Sequence, residues 1–240
     1  MVHWAVTQGC SQEPVQFISD GAAIRGFLAK PVHVPTGAPA VLILHEWWGL
    51  TDEVRERARR FAREGYVALA VDLYSRQGSK VTRVPQEAAA LMNALSTQHA
   101  LRDLNVATRF LKDMPAVDPL RIGIVGYSMG GTLALTQAGH NSDLKAAVVF
   151  YGKVPPIESF RYFLCPIQYH YAAKEQWVTK QEVDRLRDGL AQHGKPGEIH
   201  VYPEAGHGFI NESQPDAYHA GDAALAWTRT LTFLQTHLRG

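Results

Sequence analysis

The chain has few cysteines and little net charge. Only Cys10 and Cys165 occur among its 240 residues, and they lie far apart without the spacing of metal ligands. Neither a disulfide framework nor a metal site is therefore indicated, and we expect a reducing compartment. Lysine and arginine total 24 against 23 acidic residues, which leaves a formal net charge of +1. Because no overall field would attract nucleic acid or an anionic membrane surface, the composition favours a small-molecule partner.

Long apolar segments are also missing. No apolar run reaches the length of about 18 residues that a membrane-spanning helix needs. Residues 1–14 have neither a basic start nor an apolar stretch of signal-peptide length. We expect a soluble, cytoplasmic protein that binds neither membrane nor nucleic acid.

The pattern along the chain predicts one α/β domain. Residues 15–18 and 23–29 bracket a Ser-Asp-Gly turn and predict an N-terminal hairpin. Strand patterns then alternate with helical patterns, the strands at residues 41–44, 67–71, 121–125, 146–150, 166–171 and 198–202 and the helices at 51–65, 85–114, 180–193 and 220–238. This alternation is typical of a mostly parallel sheet. With no repeat or linker to divide it, we expect a single domain over residues 1–240, as a monomer or small homo-oligomer.

Residues 126–130 read Gly-Tyr-Ser-Met-Gly and lie between a strand pattern and a helical pattern. The form G-x-S-x-G is typical of a nucleophile elbow, a sharp turn in which flanking glycines let the backbone pass close to a strained serine. The helix that follows directs its N-terminal amides and the positive end of its dipole toward that serine. The motif predicts a serine hydrolase with Ser128 as the nucleophile, although a purely structural turn can have the same form.

His207 is the candidate general base. A serine hydroxyl needs a histidine to accept its proton and a carboxylate to orient that histidine. In hydrolases with this elbow the chain order is serine, acid, histidine, and the histidine follows the last strand. His207 follows the strand that ends at Tyr202 and is flanked by Gly206 and Gly208, which leave its ring room to turn.

Glu175 is the candidate acid. The acid is expected after the strand at residues 166–171, and no aspartate occurs between Asp143 and Asp184. Two alternatives stay open: Glu175 is a solvent-exposed partner of Lys174, or Asp184, which lies on a helix, is the acid.

The loop at residues 45–50 reads His-Glu-Trp-Trp-Gly-Leu and follows the strand at residues 41–44. In such folds this loop provides one backbone N–H of the oxyanion hole, which we assign to Trp47, and the residue after the nucleophile, Met129, provides the other. Glu46 in the same loop must be hydrogen-bonded or protonated if it lies beside the nucleophile. It either tunes Ser128 or forms an ion pair with an arginine.

Tryptophans are the candidate substrate-pocket residues. Trp47, Trp48 and Trp177 all fall in loops that follow strands. They either form the wall of an apolar pocket or fill the core.

Together these motifs resemble the dienelactone hydrolase family. The four motifs that carry the resemblance are His-Glu-Trp-Trp-Gly-Leu at 45–50, Gly-Tyr-Val-Ala-Leu-Ala at 65–70 with Asp-Leu-Tyr at 72–74, the elbow, and Tyr-Pro-Glu-Ala-Gly-His-Gly-Phe at 202–209. They extend over nearly the whole chain. The resemblance implies an α/β-hydrolase fold with helices on both faces of a mostly parallel central sheet. It also implies hydrolysis of small esters or lactones without a cofactor. Some members of the family hydrolyse the enol-lactone intermediates of chloroaromatic degradation.

The sequence departs from the pattern of that family at three positions. Ser128 replaces the family's cysteine, Glu175 replaces its aspartate, and Asn211 stands where the family places an arginine for the substrate carboxylate. Arg76 or Arg83 could supply another arginine. We therefore expect a neutral ester or lactone as substrate. The alternatives are a true dienelactone hydrolase (carboxymethylenebutenolidase) and a non-catalytic receptor that reuses the fold.

Overall fold

The computed structural model describes residues 5–7 and 9–239. The strands are β1 (Ala5–Thr7), β2 (Cys10–Ser19), β3 (Ala22–Pro31), β4 (Ala38–Leu44), β5 (Val67–Val71), β6 (Val117–Tyr127), β7 (Leu144–Phe150), β8 (Ile167–Ala172) and β9 (Gly197–Tyr202). The helices are α1 (Asp52–Arg63), α2 (Pro85–Ala94), α3 (Thr97–Lys112), α4 (Met129–Gln137), α5 (Lys180–Gln192) and α6 (Ala220–Leu238). Short 3₁₀ turns occur at Ser75–Gln77 and Ile157–Tyr162. The expectation of no signal peptide concerns residues 1–14, of which 1–4 and 8 lie outside the described residues.

The chain divides into two compact units, residues 1–123 and residues 124–240. In the first unit the strand order is β1-β2-β3-β5-β4. The predicted hairpin is confirmed, because β2 and β3 pair antiparallel over ten residues each. β3 pairs antiparallel with β5, whereas β4 and β5 are parallel and buried along their whole length, as their continuous apolar sequences require.

The helices of the first unit follow the capping signals of the sequence, with one exception. The Thr51 hydroxyl accepts a hydrogen bond from the Val54 amide and so caps α1. Residues 85–114, predicted as one helical region, instead form α2 and α3. The helix ends because Leu95 and Ser96 are both extended, and the Ser96 hydroxyl then caps α3 by accepting from the His99 amide.

The second unit contains the parallel strands β7, β8 and β9, and β6 begins in the first unit and ends in the second. The strand register places Phe150 beside His170 and His170 beside His200. α4 and α6 pack against β7, and α5 packs against β9. Because these strands run in the same direction, the loops after β7, β8 and β9 leave from the same edge of the sheet.

The predicted α/β fold with a mostly parallel sheet is confirmed by these pairings. The single domain over residues 1–240 stays a prediction. Within the described part of the chain, no helix combines the length and the apolar character needed to cross a bilayer.

Candidate active site

Ser128 lies in a strained turn at the end of β6. Its φ is 52° and its ψ is −116°, a conformation that non-glycine residues rarely adopt. The Ser128 amide donates to the carbonyl oxygen of Phe150 over 2.9 Å, and the Thr132 amide donates back to the Ser128 carbonyl over 3.0 Å. These backbone bonds hold the turn, and the Ser128 side chain leaves it at the start of α4.

Glycine is required beside this serine for a steric reason. A Cβ atom at Gly126 would lie 2.1 Å from the carbonyl oxygen of Gly130. Gly152 is equally constrained, because a Cβ there would lie 2.5 Å from the carbonyl carbon of Gly131. The elbow therefore depends on close backbone packing that any side chain would prevent.

The structure brings His207 to Ser128. The distance from Ser128 Oγ to His207 Nε2 is 2.8 Å, and His207 Nδ1 contacts a carboxylate oxygen of Glu175. An ionised carboxylate can only accept, so Nδ1 carries the proton and Nε2 is left to accept from the Ser128 hydroxyl. This is the arrangement that a serine nucleophile needs for deprotonation.

Glu175 is buried and not paired with its neighbour. Its side chain is 0% exposed. Its Oε2 contacts His207, whereas Oε1 has no hydrogen-bond partner among the described residues. Lys174 instead contacts Glu204, an exposed residue. The alternative of a Glu175–Lys174 pair at the surface therefore does not match the structure.

Asp184, the alternative acid, lies on α5 with other partners. Its two carboxylate oxygens contact Lys180 and Arg187 on the same helix. The hydrogen bond from Lys180 lowers the pKa of the Asp184 carboxyl, and Arg187 adds to this effect. The structure places Asp184 in a surface ion-pair group and Glu175 beside His207.

Two aromatic rings contact the imidazole of His207. The Tyr151 ring lies 4.8 Å from it and the Trp177 ring lies 5.2 Å from it, edge to face. The ammonium of Lys153 lies over the Trp177 ring, 5.6 Å from its centroid. Trp177, predicted as a pocket residue, therefore lies next to the candidate base.

Tyr151 has no counterpart among the predicted site residues. It is 0% exposed and has a φ of 40°, so it is a second strained residue next to the elbow. A signal for it was available in the sequence, because Tyr-Gly follows directly after the buried strand β7, which lies beside the elbow strand β6. An aromatic residue and a glycine at the end of such a strand indicate a close backbone approach.

The loop at residues 45–50 in the first unit is anchored at several points. Tyr74 donates its hydroxyl to the Trp47 carbonyl over 2.9 Å, and the Thr82 amide donates to the Trp48 carbonyl over 3.1 Å. The rings of Trp47 and Trp48 pack edge to face at 4.8 Å. Glu46 is 5% exposed. The backbone of the predicted oxyanion donor Trp47 is thus fixed by its neighbours.

His45 supports this loop as a neutral imidazole. Its Nε2 accepts from the Leu73 amide over 3.1 Å, which leaves Nδ1 to donate to the Glu46 carbonyl over 2.5 Å. Burial lowers the pKa of His45 below its ordinary value. Burial also raises the pKa of Tyr74, which keeps its hydroxyl protonated as the donor to Trp47.

The residues considered for binding a substrate carboxylate have other roles or lie at the surface. Arg76 makes a two-point contact with Asp103, at 2.8 and 2.9 Å, and also donates to the Ser19 carbonyl. Arg83 is exposed. Asn211 is buried, and its side-chain oxygen accepts from the amide and the hydroxyl of Ser213. Asn211 therefore shapes the loop after His207.

Met129, the predicted first oxyanion donor, is the first residue of α4 and is 5% exposed. Its amide is one of the amides at the N-terminus of that helix, where the helix dipole is positive. Its place immediately after Ser128 is the one that an oxyanion donor requires.

Comparisons with known proteins identify the family of the chain. Residues 24–238 match the model of the dienelactone hydrolase family. "Protein usf" of Aquifex pyrophilus is 33% identical over 235 residues, which cover 93% of this chain and 98% of that protein. A Bradyrhizobium sp. protein named as a probable 2-oxo-3-(5-oxofuran-2-ylidene)propanoate lactonase is 30% identical over 245 residues, 98% of each chain.

A solved structure shows the same fold. The crystal structure of a candidate dienelactone hydrolase from Klebsiella pneumoniae subsp. pneumoniae MGH 78578 superposes with a TM-score of 0.88 at 28% identity, covering 95% of this chain and 99% of that one. The match to the family model extends over most of the sequence. The chain is therefore a hydrolase that belongs to the dienelactone hydrolase family.

Proposed function

We propose that the protein hydrolyses small carboxylic esters or lactones through an acyl-enzyme intermediate on Ser128. The observation that carries the proposal is the connected series Ser128 Oγ, His207 and the buried carboxylate of Glu175, with 2.8 Å between the hydroxyl and Nε2. Such a series gives a serine both a proton acceptor and a fixed imidazole tautomer.

In the acylation step the Ser128 oxygen bonds to the substrate carbonyl carbon while its proton passes to His207 Nε2. The C–O bond to the leaving group then breaks, and the proton on Nε2 passes to the departing alkoxide. For a lactone the leaving group stays attached to the acyl group. In the second step His207 takes a proton from water, the hydroxide bonds to the acyl carbon, and the Ser128 oxygen leaves with the proton.

The negative charge on the carbonyl oxygen requires hydrogen-bond donors. We assign this role to the backbone amides of Met129 and Trp47. Support for Met129 is its place at the start of α4, and support for Trp47 is its position in the anchored loop at residues 45–50. Glu46 and Trp48 in that loop, and Trp177 beside His207, are the proposed residues for substrate contact or tuning.

A fluorophosphonate probe tests the proposal directly, because it forms an adduct only with an activated serine. We expect stoichiometric labelling of the wild type, no labelling of Ser128→Ala, and loss of short aryl ester hydrolysis in that variant. Wild-type rates in Ser128→Ala would refute the mechanism. A folded wild type that resists the probe would instead favour the receptor function.

A second candidate function is dienelactone hydrolysis itself, which the family of the chain and the name carboxymethylenebutenolidase, given to several relatives, support. Two observations favour a neutral substrate: Asn211 supports its own loop, and Arg76 is engaged by Asp103. Direct assay of cis and trans dienelactones beside neutral lactones of the same ring size separates the two candidates. A kcat/KM at least tenfold higher for the dienelactones would favour the second.

A further inference from the structure

His170 is a buried histidine that the proposed mechanism does not use. It lies on β8 and is 0% exposed. Its register neighbours are Phe150 on β7 and His200 on β9. A buried imidazole must have both ring nitrogens satisfied, so its partners reveal its protonation state.

The hydrogen bonds of His170 define one neutral tautomer. Its Nε2 lies 2.9 Å from Gln168 Oε1 and 3.2 Å from Thr230 Oγ1, and its Nδ1 lies 2.8 Å from the Tyr202 hydroxyl. The Gln168 amide nitrogen donates to the Arg229 carbonyl over 3.2 Å, which fixes the side-chain oxygen toward His170. Because that oxygen can only accept, Nε2 carries the hydrogen and Nδ1 accepts from Tyr202.

The surroundings keep this imidazole neutral. Burial lowers the pKa of His170 well below its ordinary value, and nearby positive charge on His200 and Arg229 lowers it further. The titratable groups that face it are Tyr202 and His200 from β9 and Arg229 from α6. A second proton on Nδ1 would prevent Tyr202 from donating there.

On one side, His170 contacts the residues that hold the elbow. Its ring stacks on the Phe150 ring at 4.3 Å and 15°. The carbonyl oxygen of Phe150 is the acceptor for the Ser128 amide. The backbone carbonyl of His170 accepts from the Tyr151 amide over 2.9 Å, and the Tyr151 ring contacts His207.

On the other side, His170 contacts the strand from which the His207 loop departs. Tyr202 is the last residue of β9, and its ring packs against the Phe209 ring at 4.9 Å. Phe209 is fully buried and also contacts Tyr151 at 5.7 Å. The hydroxyl bond from Tyr202 to His170 therefore fixes the base of a loop whose other end is held by Phe209.

We propose that neutral His170 is a positioning residue for the reaction: through Phe150 and Tyr202 it sets the position of His207 relative to Ser128. This inference rests on the proposed function. His170 itself contacts neither substrate nor a reacting atom. Its contribution is to keep the ends of β7 and β9 aligned while the proton moves between Ser128 and His207.

Two substitutions separate the two hydrogen bonds of the ring. In His170→Asn the side-chain oxygen occupies nearly the place of Nδ1 and can still accept from Tyr202. In His170→Gln the side-chain nitrogen occupies nearly the place of Nε2 and can still donate to Gln168, but the bond to Tyr202 is lost. A misplacement of about 1 Å in a reacting group can cost about 100-fold in rate. We therefore expect kcat for a short aryl ester to fall about 10- to 100-fold in His170→Gln and less in His170→Asn, with KM within about twofold in both.

Tyr202→Phe provides a second test that removes only one hydroxyl. We expect its kcat and its rate of fluorophosphonate labelling to fall by the same factor, since both depend on the approach of His207 to Ser128. Tyr162→Phe is the matched control, because it also removes one tyrosine hydroxyl, at an exposed position where that hydroxyl contacts Arg161. We expect its kcat to be unchanged.

Thermal unfolding of each variant distinguishes positioning from stability alone. Variants His170→Gln and Tyr202→Phe with a lowered melting temperature but wild-type kcat and labelling rate would overturn the inference while leaving the proposed function intact. If the His170 variants do not fold, the Tyr202→Phe result decides. A wild type that is not labelled at Ser128 would overturn both.

Discussion

The amide of Lys174 donates a hydrogen bond of 2.9 Å to the carbonyl oxygen of Ala205. This bond joins the loop after β8 to the loop after β9, one residue before Glu175 and two residues before His207. The Ala173 amide adds a parallel bond of 3.0 Å to the Tyr202 carbonyl. Glu175 and His207, the proposed acid and base, therefore lie in loops that backbone hydrogen bonds hold together.

The acid assignment predicts a large effect at Glu175 and almost none at Asp184. In Glu175→Gln the imidazole loses the charge that stabilises its protonated form, and we expect kcat to fall about 10³-fold or more. Asp184→Asn, which changes only the ion pairs on α5, is expected to stay within about twofold. Steady-state hydrolysis of a short aryl ester measures both. The assignment is wrong if only the Asp184 variant loses turnover.

The steric requirement at Gly126 predicts a strong effect of one methyl group. Because a Cβ there would lie 2.1 Å from the Gly130 carbonyl oxygen, Gly126→Ala must displace the backbone of the elbow. We expect a loss of about 3 kcal/mol or more in the free energy of unfolding. Gly221→Ala is the matched control, since no atom lies within 4 Å of a Cβ at Gly221, in the first turn of α6. Urea unfolding should show no destabilisation of this control.

Buried neutral histidines predict a loss of stability in acid. The pKa values of His45 and His170 are lowered by burial, so between the ordinary histidine pKa of about 6.5 and the lower folded value only the unfolded chain binds the proton. Each of these histidines therefore makes its full contribution to stability above about pH 6.5. Between that pH and the lower pKa of the folded protein, the free energy of unfolding falls by about 1.4 kcal/mol per pH unit for each histidine. Urea unfolding from about pH 7 to pH 5 measures the slope. His99→Gln, at an exposed position, should leave it unchanged, whereas His170→Asn should reduce it.

The engagement of Arg76 by Asp103 predicts that Arg76 contributes to stability rather than to substrate choice. Its guanidinium makes charge-assisted bonds to Asp103 and to the Ser19 carbonyl, which are worth about 1.5 to 3 kcal/mol when such groups are removed. We expect Arg76→Gln to lower the free energy of unfolding while the ratio of kcat/KM for anionic and neutral esters stays constant. Arg83→Gln, at an exposed position, serves as the comparison for both measurements. A selective loss with anionic esters in Arg76→Gln would restore Arg76 as a carboxylate ligand.

The group of Ser128, His207 and Glu175 could be predicted because each residue is marked by its local sequence. The elbow has glycines that its turn requires, His207 has glycines on both sides, and Glu175 is the acid that remains in the loop after β8. Chain order in a parallel sheet then brings the three loops to one edge.

The sequence alone does not predict residues whose contacts depend on the register of neighbouring strands. His170 acquires its contacts only when β7, β8 and β9 are aligned, and a shift of one residue would turn its side chain to the other face of the sheet. The pairing of Arg76 with Asp103, 27 positions apart, has no local signature either. The break at Leu95 and Ser96 was missed because the apolar pattern continues through it, while the capping serine is a weaker signal.

The inward direction of the Ser128 amide has a spectroscopic consequence. Because this N–H is bonded to the Phe150 carbonyl and does not face solvent, its exchange with deuterium requires the elbow to open. The exchange rate of one backbone proton should therefore report how often the strained turn at φ 52° relaxes. Acylation of the serine oxygen leaves this amide chemically unchanged, so the same proton can be followed in free and acylated protein.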